Sequence, residues 1–205
     1  MPPRLFFPAI VLFIAAATAF AAGSAGAKLD SPAPEFTLVD SEGSRHSLSD
    51  FKGKWVVLEW VNYDCPFVRK HYGSGNMQKL QKTYTGKGVV WLSVCSSAPG
   101  KQGHFSGSEL KERIAKEKGA QTAYLVDEEG TVGKAYDAKT TPHMFIVDPK
   151  GTLAYAGGID DIASTSQDDI ARAENYVSMA LDAALAGKPI ATKGSKPYGC
   201  SVKYK

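Results

Sequence analysis

In its 205 residues this sequence has only three cysteines and four histidines, and charge of one sign accumulates nowhere along it. Basic and acidic side chains nearly balance, 24 against 21. The lysines are scattered, with no basic stripe and no interleaved aromatics, so no nucleic-acid partner is expected. There is no internal repeat and no long polar tract. With 43% hydrophobic and 22% charged residues, general disorder is excluded and one globular domain with a sizeable core is expected. A vicinal pair of redox cysteines is also missing. In "VNYDCPFVRKHY", residues 61–72, a thiol three residues after Cys65 would complete a Cys-Pro-X-Cys motif, but Val68 stands there.

The long apolar run lies at the start. Residues 1–27 combine Arg4, a hydrophobic stretch and two small-residue patterns, Ala19-Phe20-Ala21 and Ala25-Gly26-Ala27. They are expected to be a signal peptide, which makes the chain exported, periplasmic or extracellular. If uncleaved, the run would give transient membrane association, its length being near the lower limit for a span. Export leads to an oxidising compartment in which disulfides persist. Three is an odd number, so at least one thiol is free, transiently paired or bonded to another molecule.

The remaining chain alternates strand and helix patterns. "SPAPEFTLVDSEGSRHSLSDFKGK" predicts an N-terminal hairpin, and "WVVLEWV" a central strand covered on both faces. After Cys65 a helix is expected to break at residues 73–76, with Asn76 capping a second segment. "GVVWLSVC" reads as another buried strand ending at Cys95. Ser106 and Glu109 have capping-box spacing ahead of a helix that stops at Gly119. A strand at "AYLVD", a helical turn at "TVGKAYDA" and a hairpin of "HMFIVD" and "LAYAG" follow. Apolar positions every three or four residues predict a helix from Asp169 to Ala186. This order indicates an α/β fold with a central mixed β-sheet flanked by helices and extended by the N-terminal hairpin. The domain is expected over 28–187. Residues 188–205 form a flexible-looking tail that has no periodic pattern and carries Cys200.

The anchors "APEFTL", "CPFVR" and "TTPHMFIVDPKGTLAYAG" resemble the thioredoxin-like superfamily, within it the exported redoxin (AhpC/TSA, peroxiredoxin-like) proteins, over roughly Ser31 to Gly187. The resemblance implies a thioredoxin-like fold and makes Glu59 the buried acid that accepts a proton beneath the active site. It makes Pro142 the cis-proline, with Thr141 before it facing Cys65 and offering backbone hydrogen bonds to an extended substrate.

Cys65 is the expected nucleophile. Its place before Pro66 at a helix start exposes it to unpaired N–H groups that favour a thiolate, with Arg69 and Lys70 adding positive charge and Asp64 opposing them. Cys200 is the candidate resolving thiol, and Cys95 an accessory one or a small buried core residue. A Cys65–Cys200 bond would close a loop of over a hundred residues and could stabilise the fold by roughly 4 to 5 kcal/mol, either as a turnover disulfide or as a static staple. The expected activity is thiol-disulfide exchange with protein or small-molecule thiols and disulfides, needing no cofactor and no metal. A thiol peroxidase is the alternative. Peroxiredoxins carry Thr or Ser three residues before the reactive cysteine and a proline further upstream, positions held here by Asn62 and Leu58, with Asn62 left as a hydrogen-bond donor. A third reading is a non-enzymatic binding or copper-delivery module, in which His71, His104 and His143 with Cys65 would supply a soft site.

Overall fold

A computed structural model describes residues 26–205. The expected signal peptide and the membrane association through it therefore lie almost wholly outside the described residues. No helix among those described is long and apolar enough to cross a membrane.

The alternation of strand side chains builds two apolar layers. In β3 (Val56–Trp60) Val56, Leu58 and Trp60 enter one layer, and Val57 with the following Val61 the other. In β4 (Val90–Cys95) Trp91 and Cys95 share the layer of Val57, while Val90, Leu92 and Val94 face away. Both strands are buried along their whole length, as continuous apolar runs require of central strands covered on both sides.

The N-terminal hairpin forms from β1 (Thr37–Asp40) and β2 (Arg45–Ser47), closed by Asp40, whose Oδ1 accepts from Glu42 and Ser44 N–H. With β5 (Ala123–Val126), β7 (His143–Val147) and β8 (Leu153–Gly157), these strands form a seven-stranded sheet ordered β2-β1-β5-β4-β3-β7-β8. The pairs β3·β4 and β4·β5 are parallel and the others antiparallel. The mixed α/β sheet and its hairpin extension are as expected.

Helices α1 (Pro66–Gly73), α2 (Asn76–Thr85) and α3 (Gly107–Glu117) pack on the Val57 side, while the short α4 (Thr131–Ala135) inserts Val132 on the other. Helix α5 (Tyr176–Leu185) joins the Val57 layer through Val177, Ala180 and Leu181. Three local expectations change. Gly75, at φ 76°, caps α2, because a left-handed turn favours glycine; Asn76 is its first residue, with its amide on His71 Nδ1 at 2.9 Å. Ser106 caps α3 without a side-chain bond. The helix expected from Asp169 begins only at Tyr176, because Asn175 Oδ1 accepts from Ser178 N–H at 2.9 Å and starts the helix there.

The largest departure is the tail. Residues 188–205 lie along the domain as ordered chain. Lys193 and Ser195 hydrogen-bond Ala156, and Tyr204 Oη donates to Ala138 O at 2.7 Å. Strand β9 (Cys200–Ser201) pairs antiparallel with β6 (Thr140–Thr141). A two-residue strand held by backbone bonds carries no periodicity for a sequence pattern to reveal.

Candidate active site

β3 ends at Trp60, and the chain turns into α1 through Asn62. Its Oδ1 accepts from Asp64 N–H at 2.9 Å, and its carbonyl accepts from Cys65 N–H at 3.0 Å. This turn leaves Cys65 extended at the N-cap of α1, with Pro66 at the first helical position, where its missing N–H costs nothing. The thiol is fully buried and donates to the Thr141 carbonyl at 3.0 Å. The Thr141–Pro142 peptide is cis, and Thr141 faces Cys65 as the resemblance implied.

The register of β6 and β9 sets Cys200 opposite Thr141 and brings it beside Cys65. Burial works to raise the Cys65 pKa, but the Cys200 thiol, its backbone N–H, that of Val68 and the Thr141 hydroxyl outweigh it, so the group is held below its ordinary value. Cys200, half-buried, is pushed up to about 11 by burial and by its place beside Cys65. Such a pair favours one thiolate, on Cys65, with the proton kept on Cys200. Both are thiols in this structure.

Glu59 is completely buried, as expected of the resembling acid. Its Oε1 accepts from Tyr72 Oη at 2.9 Å. Its Oε2 accepts from Gln81 Nε2 at 3.0 Å, Trp91 Nε1 at 2.8 Å and Ser93 Oγ at 3.0 Å. Burial raises its pKa against these four bonds. All four of those partners are neutral, and neither thiol is one of them. The strand register could have pointed to one of these residues, since Ser93 lies directly opposite Glu59.

Other expected residues are engaged elsewhere. Asn62 Nδ2 donates to the Gln102 carbonyl at 3.2 Å, fastening the loop after β4 rather than reaching toward Cys65. Arg69 donates to the Tyr63 carbonyl and, at 3.4 Å, to Asp64. Asp64 is paired at 2.7 Å with Arg113 of α3, a partner too distant in sequence to foresee. Cys95 is buried with its thiol 3.5 Å from the Gly103 carbonyl. The histidines do not gather around Cys65: His71 bonds Tyr198 and Asn76, His104 bonds Glu128, and His143 Nδ1 accepts from Lys139 N–H. No group of three metal-ligating side chains occurs among the described residues.

A buried polar cluster that the sequence did not reveal ties α1 to the tail. Lys70, expected to lend charge to Cys65, instead donates to Asp160 at 3.3 Å and to the Ile162 carbonyl at 2.7 Å. Tyr198 Oη donates to Asp160 and lies 3.1 Å from His71 Nε2. Burial and the neighbouring Lys70 lower the His71 pKa to about 3, so its imidazole is neutral at ordinary pH. Tyr198 also packs its ring on Phe67. The residue two positions before Cys200 is thus fixed to the same helix that Cys65 caps.

A model of the AhpC/TSA family matches residues 29–156. The chain is 31% identical over 124 residues to the thiol-disulfide oxidoreductase ResA of Geobacillus kaustophilus, covering 60% of this chain. It spans 65% of the length of that relative. A crystal structure of an uncharacterized conserved protein from Geobacillus kaustophilus superposes with a TM-score of 0.73 at 30% identity, covering 87% of this chain and 93% of that one. A hypothetical protein from Sinorhizobium meliloti gives the same TM-score at 24% identity over 89% and 97% of the two chains, a likeness of fold.

Proposed function

Since the chain belongs to the AhpC/TSA family, we propose that it is a thiol-disulfide oxidoreductase in which Cys65 is the nucleophile and Cys200 the resolving thiol. The observation that carries this reading is the β6·β9 register, which sets Cys200 opposite Thr141 while Cys65 bonds the Thr141 carbonyl. The Cys65 thiolate attacks one sulfur of a substrate disulfide and expels the other as a thiolate. Cys200 then gives up its proton and attacks the Cys65 sulfur, releasing the second substrate thiol. Two protein thiols become one disulfide, and one substrate disulfide becomes two thiols. The reverse sequence oxidises a substrate dithiol.

Glu59 enters this scheme as a buried carboxyl able to hold a proton, at one remove from the thiols. Support for this reading comes from the ResA relative, called a thiol-disulfide oxidoreductase. The partners are protein or small-molecule thiols and disulfides. The signal-like residues 1–27 support a periplasmic or extracellular setting, and the same segment, if retained, would provide a transient membrane contact.

The test is mass mapping of the oxidised chain across a series of glutathione buffers. A Cys65–Cys200 bond that exchanges within the range of the buffers supports the proposal. A bond with a potential below about −300 mV marks a structural staple and overturns it.

A further inference from the structure

The β6 edge beside the nucleophile already holds an extended, cysteine-bearing strand. β9 lies antiparallel on it, with Cys200 opposite Thr141 and beside Cys65. Any polypeptide presenting a disulfide to Cys65 in extended form would need these same backbone groups, as strand addition to an exposed edge does. We propose that β9 is a specificity-determining segment occupying the polypeptide position, so that the docked chain exchanges with low-molecular-weight disulfides and takes polypeptide disulfides only when the tail lifts. This rests on the thiol-exchange reading above.

The tail is fitted to that edge. Gly199, at φ 135°, sits on Thr141 so closely that an added Cβ would run into the Thr141 carbonyl. Val202 N–H donates to the Lys139 carbonyl at 3.1 Å, and the Lys203 carbonyl accepts from Ala98 N–H at 2.9 Å. Tyr198 and Tyr204 bind Asp160 and the Ala138 carbonyl on either side of β9. Cys65 is fully buried beneath this strap and Cys200 is half-exposed. A small disulfide needs only the Cys200 side chain to swing aside, whereas an extended polypeptide needs the whole edge free. In the exchange, Cys65 displaces one half of the small disulfide, and Cys200 displaces the other by closing the Cys65–Cys200 bond.

The test compares two probes with the same thionitrobenzoate leaving group, one a mixed disulfide of N-acetylcysteine and the other of a cysteine within an extended peptide. They are given to the reduced wild-type chain, to Gly199→Ala and to Val202→Pro, the last lacking the N–H that holds the strand. An undocked state populated at about 10% or less slows the wild-type reaction with the peptide by about tenfold or more relative to the small probe. Both variants should narrow that gap by accelerating the peptide reaction. If one variant fails to fold, the wild-type ratio and the other variant still decide. Equal wild-type rates with the two probes, or variants that leave the ratio unchanged, overturn this inference alone. A wild-type chain inert to both probes overturns the redox reading and this inference together.

Discussion

Cys65 and Cys95 lie near the carboxyl ends of neighbouring parallel strands, both buried and both in the same apolar layer. What separates them is the groups their thiols meet. Cys65 caps a helix, is contacted by N–H donors and by a second thiol, and has a lowered pKa. Cys95 ends a strand and caps no helix; its thiol lies on the Gly103 carbonyl, as that of Cys65 lies on the Thr141 carbonyl, and beside the Tyr124 hydroxyl. A place at the functional edge of an α/β sheet therefore does not by itself make a cysteine reactive. Here the helix end and a second thiol, brought by a tail more than a hundred residues away, set Cys65 apart.

The largest expected effect is complete. Cys65→Ser should abolish dithiol exchange with a small disulfide, followed by thiol release, while Cys95→Ser retains it. Next comes the cluster that fixes the tail. Lys70 and Asp160 are both essentially without solvent contact, so Asp160→Ala leaves an ammonium buried without its counter-charge and removes the acceptor of Tyr198. It should destabilise the reduced protein by about 3–5 kcal/mol in urea unfolding. It should also loosen Cys200, which would uncover Cys65 and leave it without its partner thiol. Wild-type stability after Asp160→Ala would mean that this cluster does not hold the tail.

A smaller effect sharpens the electrostatic side of the comparison. Cys200→Ala removes the donor thiol, so the pH midpoint for alkylation of Cys65 should rise toward the ordinary thiol value, and the second step of exchange should be lost. The sign for stability follows from the same shifts. The lowered Cys65 pKa contributes stability to the reduced protein above the ordinary thiol pKa, and this is lost as pH falls through the lowered value. Cys200 acts oppositely, its contribution being present below the ordinary thiol pKa and lost as pH rises through about 11. A Cys65 midpoint unmoved by Cys200→Ala would show that the helix end alone sets its reactivity.

The fold could be read from the sequence wherever burial imposes a period. The runs around Leu58 and Leu92, the Cys65-Pro66 helix start and the hairpin of β7 and β8 each carried their own pattern. Glu59 was conspicuous as one acid inside an apolar strand, and the resemblance pointed to the cis bond before Pro142. Hidden were contacts that join distant segments through groups of no fixed period. Asp160 with Lys70 and Tyr198, Arg113 with Asp64, and the pairing of Cys200 with Thr141 are of this kind. Lys70 departs from its expected place for a definite reason: one residue along a helix turns a side chain by about 100°, so a lysine near the thiol in sequence enters the core on another face. The tail looked flexible because its order depends on a surface that only the folded domain supplies.

The smallest expected effect is at Cys95, and it carries the strongest discrimination. Replacing its sulfur by the hydroxyl of Cys95→Ser keeps a donor for the Gly103 carbonyl but places a more polar atom in an apolar layer. A cost of about 1 kcal/mol is expected, as for a typical buried substitution with its hydrogen bond retained. The rate of exchange with a small disulfide should change by less than about twofold, a difference below 0.5 kcal/mol in barrier. Stopped-flow measurement of the two thionitrobenzoate equivalents released from its symmetric disulfide, one in each step, by the single variants Cys95→Ser and Cys200→Ala sets the two thiols against each other. If Cys95→Ser loses the second step of exchange while Cys200→Ala keeps it, the resolving thiol comes from the neighbouring strand, and the contact between Cys65 and the tail is a packing contact without a place in the chemistry.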